Sequence, residues 1–193
     1  MNKGRLEAFS DGVIAILITI MVLELKPPQG GDLASLGLFL PQFLVYALSY
    51  IFLGIYWSNH HHLLQAVQKV NGAILWANLH LLFWLSLVPF GTAWLGREGL
   101  MSLPVGLYGV DLLLAAVAYY ILVRALIAHH GKNSTLAKAI GDDIKGKISL
   151  VFYALAIPAA WFLPWVSYGI YILVAVLWLV PDRRIEEVLK EKD

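Results

Sequence analysis

Apolar residues are grouped in segments at about 9–25, 36–57, 73–95, 103–127, 148–163 and 166–180. A helix needs about 20 apolar residues to cross the hydrocarbon core of a bilayer. The second, third and fourth segments reach that length, the first has charged residues near its ends, and Pro164-Trp165 alone separates the last two. The pattern predicts transmembrane helices at about 5–26, 34–62, 70–96, 103–130, 146–163 and 166–190, the last two forming a hairpin.

The composition supports an all-α membrane protein and not a soluble one. Of the 193 residues, 60% are hydrophobic and 14% are charged, whereas a soluble domain is about 45–50% apolar and about 25% charged. A net charge of +1 argues against nucleic acid as a partner. The absence of cysteine excludes disulfides and thiolate sites. We expect one six-helix transmembrane domain over residues 1–193. No internal repeat is visible, so the usual two-fold architecture of secondary transporters is not indicated.

The basic residues predict the orientation of the helices. With the N-terminus inside, every Lys and Arg except Lys26 and Arg97 falls on the inner side, as the positive-inside rule requires. Both termini are therefore predicted to be cytoplasmic. Residues 1–23 have some features of a signal peptide, but Asp11 interrupts them and no A-x-A cleavage site follows.

Several polar residues fall at one depth near the inner ends of the first three predicted helices. Ionisable groups inside a membrane span are costly and normally face a protein interior or a water-filled cavity. We expect a hydrogen-bonded layer in which Asp11 accepts from Arg5, a histidine or an asparagine. Alternatively, Ser10 or Asp11 caps the first helix and the histidines lie in the wet interface. The candidates are Arg5, Ser10, Asp11, Asn59, His60, His61, Asn78 and His80.

Enzyme and metal chemistry have little support in the sequence. His60, His61 and His62 are consecutive, so on a helix they point about 100° apart and cannot all bind one ion. No H-E-x-x-H, G-x-S-x-G or glycine-rich phosphate loop is present. We therefore expect no enzyme activity, no cofactor and no fixed metal ion. Asp111 lies well inside the fourth segment, and the sequence does not name its partner.

Two motifs carry a family resemblance. Residues 5–16 read RLEAFSDGVIAI, which closely resembles the R-x-x-x-F-S-D-G signature of the endo-lysosomal potassium channel family, the transmembrane protein 175 family. Residues 56–63 read YWSNHHHL and are similar to the Trp/Asn/His-His pattern that ends the second helix of that family. The chain resembles a bacterial homologue.

The resemblance implies a homotetrameric channel, selective for potassium over sodium, in the bacterial inner membrane. Its partners would be potassium ions, the lipid bilayer and copies of itself. The first helix of each subunit would line a central pore, with aliphatic rings at Ile16, Ile20 and Leu23. The Arg, Phe, Ser and Asp of the motif would hold this helix through contacts with the histidine-bearing second helix. The signature and the packing layer together comprise Arg5, Phe9, Ser10, Asp11, Gly12, Trp57, Asn59, His60, His61, Asn78 and His80.

Helical geometry agrees with this assignment. At about 100° per residue, five residues share a face about 100° wide, and Asp11 lies on the opposite side. The five are Gly12, Ile16, Thr19, Ile20 and Leu23. Because residues 13–23 are apolar all round except for Thr19, the pattern alone does not choose the pore face. The Thr19 hydroxyl either bonds the Ala15 carbonyl or offers an oxygen to a passing cation.

Two other functions remain open at this point. One is a proton- or cation-coupled secondary transporter that uses Asp11, His60 and His80 as a relay. The other is a membrane scaffold that conducts no ions. A channel passes current in single-channel steps, whereas a carrier gives saturable flux without them.

Overall fold

The computed structural model describes residues 3–131, 133–141 and 143–179, and the regular elements within these ranges are helical. A 3-10 segment, Met21–Glu24, continues the first helix and ends ahead of Pro27. The helices are α1 (Gly4–Ile20), α2 (Leu33–Gln65), α3 (Gly72–Leu85), α4 (Val88–Glu98), α5 (Ser102–His130), α6 (Thr135–Ile140), α7 (Ile144–Ala159) and α8 (Pro164–Leu179).

The long apolar helices support a multi-pass membrane protein. Four stretches of the described chain are long and apolar enough to cross a bilayer: Gly4–Glu24, Leu33–Gln65, Gly72–Glu98 and Ser102–His130. Helix α8 is apolar but shorter. The predicted last helix, 166–190, extends beyond the described residues. Six spans and two cytoplasmic termini therefore stay predictions.

The third predicted helix is interrupted. The sequence predicts one helix over 70–96, whereas α3 ends at Leu85 and α4 begins at Val88. Pro89 has no amide hydrogen to donate to the Leu85 carbonyl, and proline is tolerated in the first turn of a helix. The prediction of one continuous helix was wrong for this reason. The fifth predicted helix, 146–163, corresponds to α7, which ends at Ala159, four residues before the predicted end.

The helices pack around two apolar clusters. The first is built by α1, α3 and the C-terminal halves of α2 and α5, with Ile14, Leu63 and Leu81 fully buried. The second is built by the N-terminal halves of α2 and α5 with α4, α7 and α8. Helix α1 packs against α2 and α3, and its 3-10 extension also contacts α4. Among the residues that the structure describes, this arrangement leaves one face of α1 uncovered.

Hydrogen bonds at both ends of the bundle show how α1 and α2 run relative to each other. At the end where α1 begins, Lys3 Nζ donates to the Leu64 carbonyl over 2.7 Å, and Asn71 contacts His129 at 3.2 Å. At the opposite end, Gln42 Nε2 donates to the Glu24 carbonyl over 3.3 Å. Helices α1 and α2 are therefore antiparallel neighbours along their whole common length.

Candidate functional site

The two faces of α1 differ sharply in exposure. Its buried residues recur every three or four positions, as on one side of a helix; they are Leu6, Ser10, Ile14 and Leu17. On the other side Ile16 is 59% exposed, Ile20 40% and Leu23 78%. Gly12 and Thr19 are exposed on this side too. The packing of the described residues thus leaves an aliphatic stripe uncovered, which the sequence pattern could not establish.

The end of this stripe departs from the predicted geometry. The prediction assumed an α-helix through Leu23, but Met21–Glu24 is a 3-10 segment. A 3-10 helix turns about 120° per residue. Leu23 therefore lies above Ile20 at about +40° relative to Ile16, not at the predicted position near −20°. The stripe is straighter at its end than the sequence predicts.

The Thr19 hydroxyl bonds within its own helix. Its Oγ1 donates to the Ile16 carbonyl over 2.9 Å, so the predicted acceptor, Ala15, was wrong by one residue. This bond uses the one hydroxyl hydrogen, and the lone pairs of the oxygen remain available to accept. Thr19 is exposed beside the aliphatic residues, so its oxygen is accessible from that face.

A chain of hydrogen bonds joins three helices near the start of α1. His60 Nε2 and Asn78 Oδ1 are 2.7 Å apart, Asn78 Nδ2 donates to Ser10 Oγ over 2.9 Å, and Ser10 Oγ donates to the Leu6 carbonyl over 2.8 Å. His60, Asn78 and Ser10 are fully buried. Since Asn78 Oδ1 is an acceptor, the network assigns a hydrogen to His60 Nε2. We call these three residues the proximal polar chain.

Asp11 and Glu7 contact α2 beside this chain. Trp57 Nε1 donates to Asp11 Oδ1 over 3.1 Å, so the predicted donors to Asp11 (Arg5, a histidine or an asparagine) were wrong. Glu7 Oε1 lies 3.6 Å from His61 Nδ1, and the His61 ring stacks on Trp57. These contacts are more open to solvent than the proximal polar chain. The Asp11 carboxylate reaches α2 and does not join the aliphatic stripe.

Other members of the predicted layer lie elsewhere. Asn59 Nδ2 donates within α2 to the Ile55 carbonyl over 2.8 Å. His80 is exposed, and its Nε2 accepts from Trp84 over 2.9 Å. Arg5 and Phe9 are exposed on the chain. The single predicted layer is therefore wrong in extent, and no contact among the described residues joins His80 to His60 or Asp11.

Asp111 is buried in α5 without a hydrogen bond. It is 8% exposed, and neither carboxylate oxygen has a partner among the described residues. The sequence pattern did not predict a partner for Asp111. Within the same ranges, no three His, Asp or Glu side chains come together as metal ligands.

A second buried polar cluster was missed at the sequence level. Ser49 Oγ lies 2.8 Å from Tyr108 OH and 2.7 Å from Thr92 Oγ1, and it donates to the Val45 carbonyl over 3.0 Å. Serine and threonine in helices often bond only their own backbone, so they give little signal. Tyr108 gave a better one, since a buried tyrosine hydroxyl usually needs a partner. We call Ser49, Thr92 and Tyr108 the distal hydroxyl cluster.

Residues 5–89 match the family model described as the endosomal/lysosomal potassium channel TMEM175. The human protein named endosomal/lysosomal proton channel TMEM175 is 36% identical over 86 residues, which cover 38% of this chain and 17% of the human one. The matched region contains α1, α2 and α3 with the proximal polar chain.

Bacterial relatives extend the similarity to nearly the whole chain. A protein of Chryseobacterium sp. (strain P1-3) named as a potassium channel is 57% identical over 191 residues, which cover 99% of this chain and 100% of the relative. A crystal structure from Chamaesiphon minutus, titled as a lysosomal potassium-selective channel TMEM175 homolog, matches with a TM-score of 0.80. It is 29% identical, over 93% of this chain and 97% of that one. This chain therefore belongs to the TMEM175 family of cation channels.

Proposed function

We propose that this chain is the subunit of a potassium-selective channel whose pore is lined by α1. The observation that carries the proposal is the uncovered aliphatic stripe of Ile16, Ile20 and Leu23. Such a stripe needs apolar neighbours, and in a bilayer these are lipid tails or other copies of the chain. The names of the bacterial relatives support potassium as the conducted ion.

Several copies are needed, because a single α1 cannot enclose a passage. Closed cyclic symmetry lets the same helix contribute to every side of a central axis. The family resemblance supports four copies, each with six spans and both termini in the cytoplasm. Arg5, Phe9 and Gly12 lie on the exposed part of α1, where a neighbouring subunit would contact them. We place the tetramer in the bacterial inner membrane.

The chemistry of the stripe supports selection by dehydration. A narrow ring of isoleucine or leucine excludes water, and dewetting alone closes such a constriction. Potassium gives up hydration water more easily than sodium, so an apolar passage favours it without a dedicated binding site. The Thr19 oxygen, exposed between the rings at Ile16 and Ile20, would replace part of the lost hydration.

The polar contacts around α1 would fix its rotation. The proximal polar chain binds Ser10 to α2 and α3, and Trp57 holds Asp11 from the same side. With these residues turned inward, the stripe of Ile16 faces away from the body of the subunit. In this mechanism Asp11 is a packing residue and not a member of a charged pore ring.

Reversal potentials of purified protein in planar bilayers test the proposal. We expect single-channel steps with a potassium reversal potential, and Ile16→Ala should lower the K/Na permeability ratio severalfold because it widens a ring. Leu155→Ala is the matched control, since Leu155 is exposed on α7. An unchanged ratio in variants of Ile16, Ile20 and Leu23 would remove the pore assignment.

The same preparation distinguishes the other functions. A proton gradient imposed with equal potassium on both sides tests whether this chain conducts protons, as the names of the mammalian relatives state for those proteins. Saturable exchange without conductance would favour the coupled transporter instead. That alternative now lacks one of its proposed contacts, because His80 bonds Trp84 and not the proximal polar chain.

A further inference from the structure

The 3-10 segment at the end of α1 is held by side chains of two other helices. Met21, its first residue, is 1% exposed, and its Sδ lies 4.0 Å from Thr92 Oγ1 on α4. At the other end the Glu24 carbonyl accepts from Gln42 Nε2 on α2 over 3.3 Å. Carbonyls at a helix end have no partner within the helix. Thr92 thus contacts the first residue of this short segment, and Gln42 contacts its last residue.

These two contacting residues have other neighbours in the fold. A Cβ atom on Gly96 of α4 would lie 3.0 Å from Gln42 Cγ, so the glycine lets α4 approach α2 beside Gln42. Thr92 belongs to the distal hydroxyl cluster, and its Oγ1 lies 2.7 Å from both Ser49 Oγ and the Val88 carbonyl. Its one hydrogen is used there, so the contact with Met21 is a packing contact. The Met21 and Glu24 contacts therefore come from side chains that have further neighbours in α2 and α4.

The winding of the segment decides where Leu23 lies. In a continued α-helix, Leu23 would be turned by about 60° from its present position and would lie about 1.5 Å closer to Ile20 along the axis. Leu23 is 78% exposed, so its own side chain does little to hold it there. Contacts that stabilise the 3-10 winding consequently set the position of Leu23.

We propose that Gln42 is a positioning residue for the aliphatic ring at Leu23 and thereby a determinant of ion selectivity, together with Thr92 and Met21. Gln42 acts through the Glu24 carbonyl and does not need to touch the ion. This inference rests on the proposed function, in which Leu23 lines the ion path.

The main test is Gln42→Met, which keeps the length of the side chain and removes its donor. We expect the K/Na permeability ratio from bi-ionic reversal potentials to fall roughly threefold, the size of effect that one hydrogen bond has on an equilibrium. Gln68→Met is the matched control, because Gln68 is exposed between α2 and α3.

A labelling experiment reports the position of Leu23 directly. The chain has no cysteine, so Leu23→Cys introduces a unique thiol. We expect Gln42→Met to change the rate at which a cationic methanethiosulfonate reagent modifies this thiol in open channels by roughly threefold, and Gln68→Met to leave the rate unchanged. A loss of stability alone would lower the yield of tetramers and not this rate.

The outcomes separate this inference from the proposed function. If Ile16→Ala and Leu23→Ala change the permeability ratio but Gln42→Met changes neither the ratio nor the rate, only this inference is overturned. It is also overturned if Gln42→Met has its full effect in a Leu23→Ala background, since Gln42 would then act elsewhere. If Ile16→Ala and Leu23→Ala leave the ratio unchanged, the proposed function itself fails.

Discussion

The proximal polar chain and the distal hydroxyl cluster hold α1 in different ways. In the proximal chain, Ser10 is a residue of α1, and each link has a defined donor and acceptor. In the distal cluster the three hydroxyls belong to α2, α4 and α5, and α1 meets them through the apolar Met21. In the proposed channel the first arrangement would fix the rotation of the helix, whereas the second meets only its 3-10 end, where Gln42 also donates to the Glu24 carbonyl.

Breaking the proximal chain should have the largest effect. Asn78→Leu removes two hydrogen bonds and leaves the buried His60 and Ser10 each without that partner. We expect a loss of about 2–4 kcal/mol in stability, measured by thermal unfolding of the protein in detergent. Asn59→Leu is the control, because Asn59 bonds its own helix. Equal losses in the two variants would contradict the special role of the chain.

Breaking the distal cluster should cost less. Thr92→Val keeps the shape of the side chain and removes its hydroxyl, while Ser49 still has Tyr108 and the Val45 carbonyl as partners. We expect a loss of about 1.5 kcal/mol or less in the same measurement. Ser86→Ala, which removes an exposed hydroxyl, should change stability less. A loss as large as that of Asn78→Leu would show that both clusters are equally important for folding.

The contact between Asp11 and Trp57 should have the smallest effect on stability. Asp11→Ala removes the acceptor of a partly exposed hydrogen bond, for which we expect a cost of about 0.5–1 kcal/mol. The larger change should be a reduced fraction of tetramers in size-exclusion chromatography with light scattering. Asp11→Asn keeps an acceptor oxygen and should assemble normally. Normal tetramers with normal current in Asp11→Ala would refute the packing role.

The common depth of the polar residues predicted the proximal polar chain. The direction in which each residue points from its helix explains why other members of the predicted layer were wrong. Ser10, His60 and Asn78 were grouped because each lies near the inner end of an apolar segment. His80 was added by the same criterion, although residues two apart on a helix point about 160° away from each other. Asn78 and His80 therefore cannot both face α1, a conflict that the sequence already contained.

Other features depend on tertiary contacts that no local pattern contains. Pro89 follows the break between α3 and α4, yet Pro41 lies inside the continuous helix α2, so proline alone did not locate the interruption. Ser49 and Thr92 are typical helical hydroxyls until Tyr108 from α5 reaches them. The uncovered face of α1 likewise follows from where α2 and α3 pack.

The proximal polar chain also has a consequence for how the protein is made. Ser10 and its partner Asn78 are 68 residues apart, and chains are synthesised from the N-terminus. When α1 and α2 first enter the bilayer, Ser10 and His60 still lack the amide between them. We therefore expect this part of the packing to form only after α3 has been inserted, and a ribosome stalled before residue 78 would leave α1 held by its contacts with α2 alone.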